Sequence, residues 1–358
     1  MPLFSVIVSI YNVAGYFDSG LTCLLNQDFK DFEIILVDDG STDGSGRLCD
    51  EAEAAYPSLI KVIHQPNSGL GGARNRGIDE AKGTYICFFD IDDAVPTHWL
   101  QCIKSHTERS RPQILIYGYT ETNFRYGTTN SYAFKPFECH SNEDLRNIYA
   151  EHLSGIRFNN GFAWNKVYER AFLTDNTCRF PNLRIQQDEV FNLNVYPKAE
   201  RVSIVSEVLY DYRIYYRGNT RSRYITDRIQ IFSEVKRAFF HLFRQWDLND
   251  KELETYVHRR FLNNIIYNVA GDTLEQRRAY LQQIFDSREV EDSIHFLKTR
   301  TNDKHHIFFR NYLKAFEQKS LYRYTFTRLT ESVIDVLKGI AHHIKRILKM
   351  RYLHSSKN

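Results

Sequence analysis

The 358-residue chain is predicted to fold as a Rossmann-like, doubly wound, mostly parallel α/β sheet with a C-terminal helical extension. Three observations predict it. Short β-branched apolar runs alternate with helix-period stretches four times within about the first ninety residues, the pattern of a parallel sheet with helical crossovers. Polar clusters follow those runs directly, where such sheets bind ligands. Beyond about Arg221 the apolar spacing becomes wholly helical.

Leu3 to Ile10 is the first apolar run and stops at Tyr11-Asn12. Val13 to Gln27 follows, with Phe17, Leu21, Leu24 and Leu25 at helical spacing. Phe32 to Val37 reads as a second buried strand. Asp38-Asp39-Gly40-Ser41-Thr42-Asp43-Gly44-Ser45 breaks it with turn and helix-cap chemistry. Arg47 to Tyr56 is a helix pattern, Ile60 to His64 a strand, and Gly69 to Ala81 a Gly-led loop entering a helix. Thr84 to Phe89 is a strand that runs straight into Asp90-Ile91-Asp92-Asp93. Gln113 to Tyr119 reads as a strand and Phe124 to Pro136 as an aromatic hairpin or loop. Later stripes, such as Ile231-Phe232-Val235-Phe239, are packing faces of helices.

With 42% hydrophobic and 25% charged residues, and only 17 Gly and 8 Pro, the chain is neither wholly disordered nor collagen-like. Its 23 Tyr and 25 Phe suit packed interiors or pockets that stack on flat ligands. Cys23, Cys49, Cys87, Cys102, Cys139 and Cys178 form no CxxC and show no His at metal spacing, so they read as reduced, in a cytoplasmic setting. The first residues lack a basic n-region and a cleavage site, and read as a strand of the mature fold. No window approaches the ~18 apolar residues of a membrane span.

From Leu321 onward eight basic side chains face only Glu331 and Asp335, whereas the whole chain carries a formal charge of +3. Within that tail Val333, Val336, Leu337, Ile340, Ile344, Ile347 and Leu348 form one apolar stripe. Two readings stand here: a basic amphipathic helix over 332–358 lying peripherally on an anionic membrane surface, or a helix docked on the neighbouring helical domain. No reader motif for nucleic acid is present, so none is expected as a partner.

Three strings could carry chemistry. Clustered carboxylates at Asp90, Asp92 and Asp93 repel one another, and a hard divalent cation, Mn²⁺ or Mg²⁺, resolves the conflict. Two ligands leave open positions for a diphosphate; the plain alternative is an acidic turn before the helix near Pro96. Asp38 and Asp39 either cap the following helix or accept a hydrogen bond from a nucleotide base that Tyr11 covers. Asn67-Ser68-Gly69-Leu70-Gly71-Gly72-Ala73-Arg74-Asn75-Arg76-Gly77 lacks both GxGxxG and GxxxxGK[ST] spacing. Its glycines allow close backbone approach, and Arg74 or Arg76 could offset anionic charge; an ordinary helix start is the alternative.

In order and spacing these strings resemble the signature of the inverting family 2 glycosyltransferases of the GT-A fold. Ser5 to Asn12, Val37 to Asp43, Asn67 to Asn75 and Tyr85 to Asp93 carry the resemblance. It implies a nucleotide-diphosphate sugar donor, a UDP-sugar above all, and a glycan or lipid-linked acceptor in polysaccharide biosynthesis. It also implies nucleotide contacts at Ser9, Tyr11, Asp38, Asp39, Arg74 and Asp90, and a metal ligand at Asp92. Gln187-Asp188-Glu189-Val190-Phe191 looks like the family's catalytic acidic segment, after Trp164-Asn165-Lys166-Val167-Tyr168. Asp188 is then the general base, with Glu189 as fallback because Gln187 stands where Glu is usual. Tyr212 to Arg217 resembles the closing segment of the catalytic domain, where Arg213 or Arg217 either meets phosphate or belongs to a buried strand. The implied organisation is a nucleotide-sugar half over 1–110, an acceptor half over 111–220, a helical appendage over 221–320 and a basic tail over 321–358. A sugar nucleotidyltransferase and a silent nucleotide- or glycan-binding module are the competing readings. The first lacks its Gly-rich basic loop at Ser9 to Val13, and the second would have lost the acidic strings.

Overall fold

The structure is a computed structural model that describes residues 1–149, 161–215, 225, 227–266, 273–300, 314–315 and 318. Arg217 and the basic tail from Leu321 lie outside the described residues.

The opening segment alternates as its apolar runs predict. Strands β1 (Phe4–Ile10), β2 (Phe32–Asp38), β3 (Ile60–His64) and β4 (Tyr85–Asp90) are interleaved with helices α1 (Ala14–Leu25), α2 (Ser45–Ala55) and α3 (Gly69–Glu80). Helix α4 (Trp99–Ser110) leads to β5 (Ile114–Asn123), which turns back as the hairpin strand β6 (Thr128–Tyr132). There follow β7 (Phe137–Cys139), α5 (Asn142–Ile148), β8 (Lys166–Glu169), α6 (Arg170–Asp175), α7 (Gln187–Val195) and β9 (Val202–Ile214). Helices α8 (Arg228–Gln245), α9 (Lys251–Ile266), α10 (Leu274–Asp286) and α11 (Arg288–Arg300) complete the described elements.

The strands join one sheet in the order β3-β2-β1-β4-β8-β5-β9-β7, with β6 beside β5. β1 to β4 pair in parallel, as does β5 with β9, whereas β6, β7 and β8 run antiparallel to their neighbours. The chain leaves β1 for β2 on one side and returns to β4 on the other, so strand order reverses between β1 and β4. Ligands bind at such a switch point, outside the strands' carboxyl ends. Register sets Ser9 beside Asp90 and Ile10 beside Asp38 there.

The core is the middle of this sheet. Val6, Val8, Ile34, Leu36, Ile86, Phe88 and Ile116 are all buried, each contributing about 1.5–3 kcal/mol on leaving water. Glycine lets one helix sit closer than a side chain would: a Cβ at Gly20 of α1 would lie 2.0 Å from the Ile91 carbonyl oxygen. The Asp90–Asp93 turn therefore rests directly on α1.

The chain divides into two compact units, Met1–Arg223 with Asp227–Val257, and Tyr224–Thr226 with His258–Asn358. Helix α8, which periodicity alone groups with the later helices, belongs to the first. Its stripe of Ile231, Phe232, Val235, Phe239 and Leu242 is buried, and α7 packs against it. Within the second unit His258 stacks on Phe296 at 4.0 Å between centroids. Among the described residues no helix is long and apolar enough to cross a membrane.

Candidate active site

Four segments meet at the carboxyl ends of β1, β2 and β4. After β1, Asn12 takes a left-handed φ of 52°, and its side-chain oxygen accepts from the Thr42 amide at 2.8 Å. The loops after β1 and β2 are thereby tied together. Tyr11, beside this tie, is 50% exposed and turns a free ring to solvent. Ser9 Oγ is buried and has no hydrogen-bond partner among the described residues.

Asp38 and Asp39, both buried, are each engaged by the protein itself. Asp38 accepts from the Ser41 amide at 3.1 Å and lies 2.9 Å from His64 Nδ1. Burial opposes its charge, but the Ser41 and His64 hydrogen bonds outweigh it and hold the carboxyl below its usual range. Asp39 accepts from the Gln65 side chain at 2.7 Å and from the amides of Ser68 and Gly69, both at 2.8 Å. It thus satisfies the start of α3, where backbone N–H groups and the helix dipole favour an anion.

Helix α3 carries Arg74, which is only 2% exposed. Its guanidinium bonds Asp90 at 3.0 Å through one terminal nitrogen and Asp188 through the other. The rings of Phe88 and Phe180 flank it, at 5.7 and 5.4 Å. Burial disfavours the cation, yet Asp188 and Asp90 more than offset this and raise its pKa. Gly71 makes the approach feasible: a Cβ there would lie 2.8 Å from the Pro181 carbonyl oxygen in the segment leading to α7. Sequence reading expects Arg74 to offset anionic charge of a nucleotide; the charge it meets here is the protein's own. Arg76 is instead on the surface, paired with Glu80 at 2.8 Å.

The acidic run is less well served. Burial is the main influence on Asp90 and raises its pKa; Arg74 opposes this, while Asp92 and Asp188 add to it. Asp93 is pushed well up by burial, then by Asp90 and Asp92. It accepts from Tyr210 Oη at 2.9 Å and from the Arg213 amide at 2.8 Å. The Arg213 side chain bonds Asp211, so its guanidinium serves strand β9. An oxygen-only set of like charges, partly unrelieved, fits a hard divalent cation. The run is no closed cage. Among the described residues the group of three His, Cys, Asp or Glu side chains with donor atoms within 4.8 Å is Cys102, His106 and Glu207, on α4 and β9. There His106 follows Cys102 by one helical turn, which corrects the expectation that no cysteine has a His at metal spacing.

Asp188 opens α7 and receives, besides Arg74, the Ala163 amide at 3.1 Å. Glu189 is buried on the next face of the helix, against Gly161. The structure thus brings Arg74, Asp90 and Asp188 together, with Asp93 joined through Tyr210, whose hydroxyl also accepts from the Asp90 amide at 3.1 Å. Asp38 and Asp39 brace the neighbouring loops. The sequence assigns no role to Tyr210, Lys166 or Asn192: Tyr210 hides in a tyrosine-rich strand, and Lys166 is one member of the Trp164–Tyr168 string.

The sequence pattern described as glycosyl transferase family 2 matches residues 5–165. The chain is also 31% identical over 279 residues to the uncharacterized glycosyltransferase EpsJ of Bacillus subtilis, spanning 76% of this chain and 79% of that one. This chain belongs to glycosyl transferase family 2. The glycosyltransferase is 27% identical over 269 residues to the poly(ribitol-phosphate) beta-N-acetylglucosaminyltransferase TarS of Staphylococcus aureus, across 73% of this chain and 44% of TarS. TarS residues 1–349, solved with UDP-GlcNAc, share its fold with a TM-score of 0.62 at 23% identity, over 93% of this chain and 92% of that one. The mannosyltransferase PcManGT of Pyrobaculum calidifontis, solved with GDP-Man and Mn²⁺, follows at 0.50 and 16%, over 93% and 88%. The GT-A fold expected from the four strings is the fold observed. Membership also decides against the nucleotidyltransferase and the silent module.

Proposed function

We propose that this glycosyltransferase moves a sugar from a UDP-sugar to a hydroxyl of a glycan or lipid-linked acceptor, with inversion, in surface-polysaccharide synthesis. The observation that carries the reading is the single guanidinium of Arg74, which joins the acidic edge at Asp90 to Asp188. Donor-side and acceptor-side groups then work on the same anomeric carbon. Tyr11 covers the base, Asp39 with Asp38 shapes the loop that receives it, and the unpartnered Ser9 Oγ offers a further hydrogen bond. Asp92, with Asp90 beside it, would hold Mn²⁺ or Mg²⁺. Such an ion, when bound, supplies Lewis-acid stabilisation of the leaving diphosphate.

Asp188 takes the proton of the attacking hydroxyl as the new glycosidic bond forms and the bond to the diphosphate breaks. Attack from the face opposite the leaving group inverts the anomeric centre and needs no covalent intermediate. General base catalysis of this kind is worth about 10²–10⁴-fold. The UDP-GlcNAc and UDP complexes of TarS and the Mn²⁺ complex of PcManGT support the choice of nucleotide and ion.

The purified protein, offered UDP-glucose, UDP-galactose, UDP-GlcNAc and GDP-mannose with Mn²⁺, should release nucleoside diphosphate from one UDP-sugar. Asp188→Asn should lower that turnover by about 10³-fold while UDP binding stays within about twofold. Full turnover in that variant would move the base elsewhere, and pyrophosphate release would mean a different reaction.

A further inference from the structure

Lys166, at the start of β8, is 0% exposed. An interior ammonium is costly unless its hydrogens are spent, and an apolar side chain of equal length would fill the space more cheaply. Two of its hydrogens are used within the same turn: Nζ donates to the Phe162 carbonyl at 2.6 Å and to Asn165 Oδ1 at 2.9 Å. Burial pushes its pKa down to about 7, with Asp188 drawing it the other way. Those bonds close the turn from Gly161 to Lys166 on itself.

A second clamp comes from α7. Asn192 lies one helical turn after Asp188, so both side chains stand on the same face. Its amide nitrogen donates to the carbonyls of Gly161 and Phe162, at 3.0 and 3.1 Å. Tyr168 Oη donates to Asn192 Oδ1 at 2.6 Å and fixes that orientation. Between the two clamps the Ala163 amide points at Asp188 Oδ2, at 3.1 Å, while Arg74 holds Oδ1.

We propose that Lys166 and Asn192 are positioning residues for Asp188: they clamp the Gly161–Lys166 turn so that the Ala163 amide fixes one carboxylate oxygen. With the carboxylate pinned at both oxygens, its rotation is stopped and the lone pair meant for the acceptor proton keeps one direction. The inference rests on Asp188 as the base, and it adds two residues that touch neither donor nor acceptor. A misplacement of about 1 Å in such a group costs on the order of 10²-fold in rate.

The test compares Lys166→Met, Asn192→Leu and Asp188→Asn with the parent protein. Hydrogen exchange at the Ala163 amide should quicken by about tenfold in the first two variants, since that amide now opens locally. Turnover of the UDP-sugar should fall by about 10²-fold, with the donor KM and calorimetric UDP affinity held within about twofold. A merely structural role would lower donor affinity and melting temperature together with turnover. Parental exchange and turnover in both variants would overturn the proposal, even with Asp188→Asn inactive. Full turnover in Asp188→Asn would instead remove the base reading on which it rests. Should Lys166→Met fail to fold, Asn192→Leu, which keeps the number and branching of side-chain heavy atoms, decides alone.

Discussion

Two aspartate clusters stand at the ends of β2 and β4, on either side of β1, and they are treated in opposite ways. Asp38 and Asp39 after β2 are surrounded by donors: Ser41, His64, Gln65, Ser68 and Gly69. The Asp90–Asp93 run after β4 holds Asp90 and Asp93 above their usual range, because burial and mutual repulsion exceed what Arg74, Tyr210 and the Arg213 amide return. The first pair is finished as architecture. In the second, burial and like charge outweigh the donors that Asp90 and Asp93 receive. Residue type does not separate the two; the surroundings that set the pKa of Asp38 against those of Asp90 and Asp93 do.

The largest effect should come from Asp92→Ala, which is expected to weaken Mn²⁺-dependent UDP binding by more than about tenfold, with little change in melting temperature. Calorimetry with UDP, with and without Mn²⁺, reads it, and metal-dependent affinity equal to that of the parent would remove Asp92 as a ligand. At the other pair the balance should reverse. Asp39→Ala strands the amides of Ser68 and Gly69 and should cost about 1–3 kcal/mol of stability. A denaturant midpoint unchanged by that substitution would show that the loop does not depend on Asp39.

The smallest effect concerns His64, which sits 2.9 Å from both Asp38 and Asp50. The hydrogen bonds to Asp38 and then Asp50 raise its pKa above the ordinary 6.5. The folded form therefore binds the proton more tightly than the unfolded chain. Its contribution is complete below about pH 6.5 and fades as pH climbs through the raised value. The stability gap between the parent protein and His64→Gln should be wider at pH 5.5 than at pH 8.5. An equal gap at both would mean that the imidazole is not charged by its neighbours.

Much of the fold was legible because it is written locally. Each of β1 to β4 is a short apolar run, and each ends on residues that cannot continue a strand. Asp90 and Asp92 stand out for the same reason, as carboxylates at the edge of a patterned element, whereas Asp188 is legible only through the resemblance of its string. What stayed hidden depends on distant partners. Strand β8 inserts antiparallel between β4 and β5, a choice made by pairing rather than by its own four residues. Arg74 reads as a ligand for phosphate until the 114 residues to Asp188 are folded away. The tyrosine at 210 and the lysine at 166 differ from their many counterparts only in what surrounds them.

The stacked column of Phe162, Trp164 and Tyr210, with successive centroids 4.4 Å apart, has a practical consequence. The chain has 3 tryptophans, and Trp99, Trp164 and Trp246 are all shielded from water. Trp164 alone of them stacks on the tyrosine whose hydroxyl reaches Asp93. Loading of the acidic edge should thus be visible as a change in intrinsic emission, giving the enzyme a label-free optical gauge of occupancy.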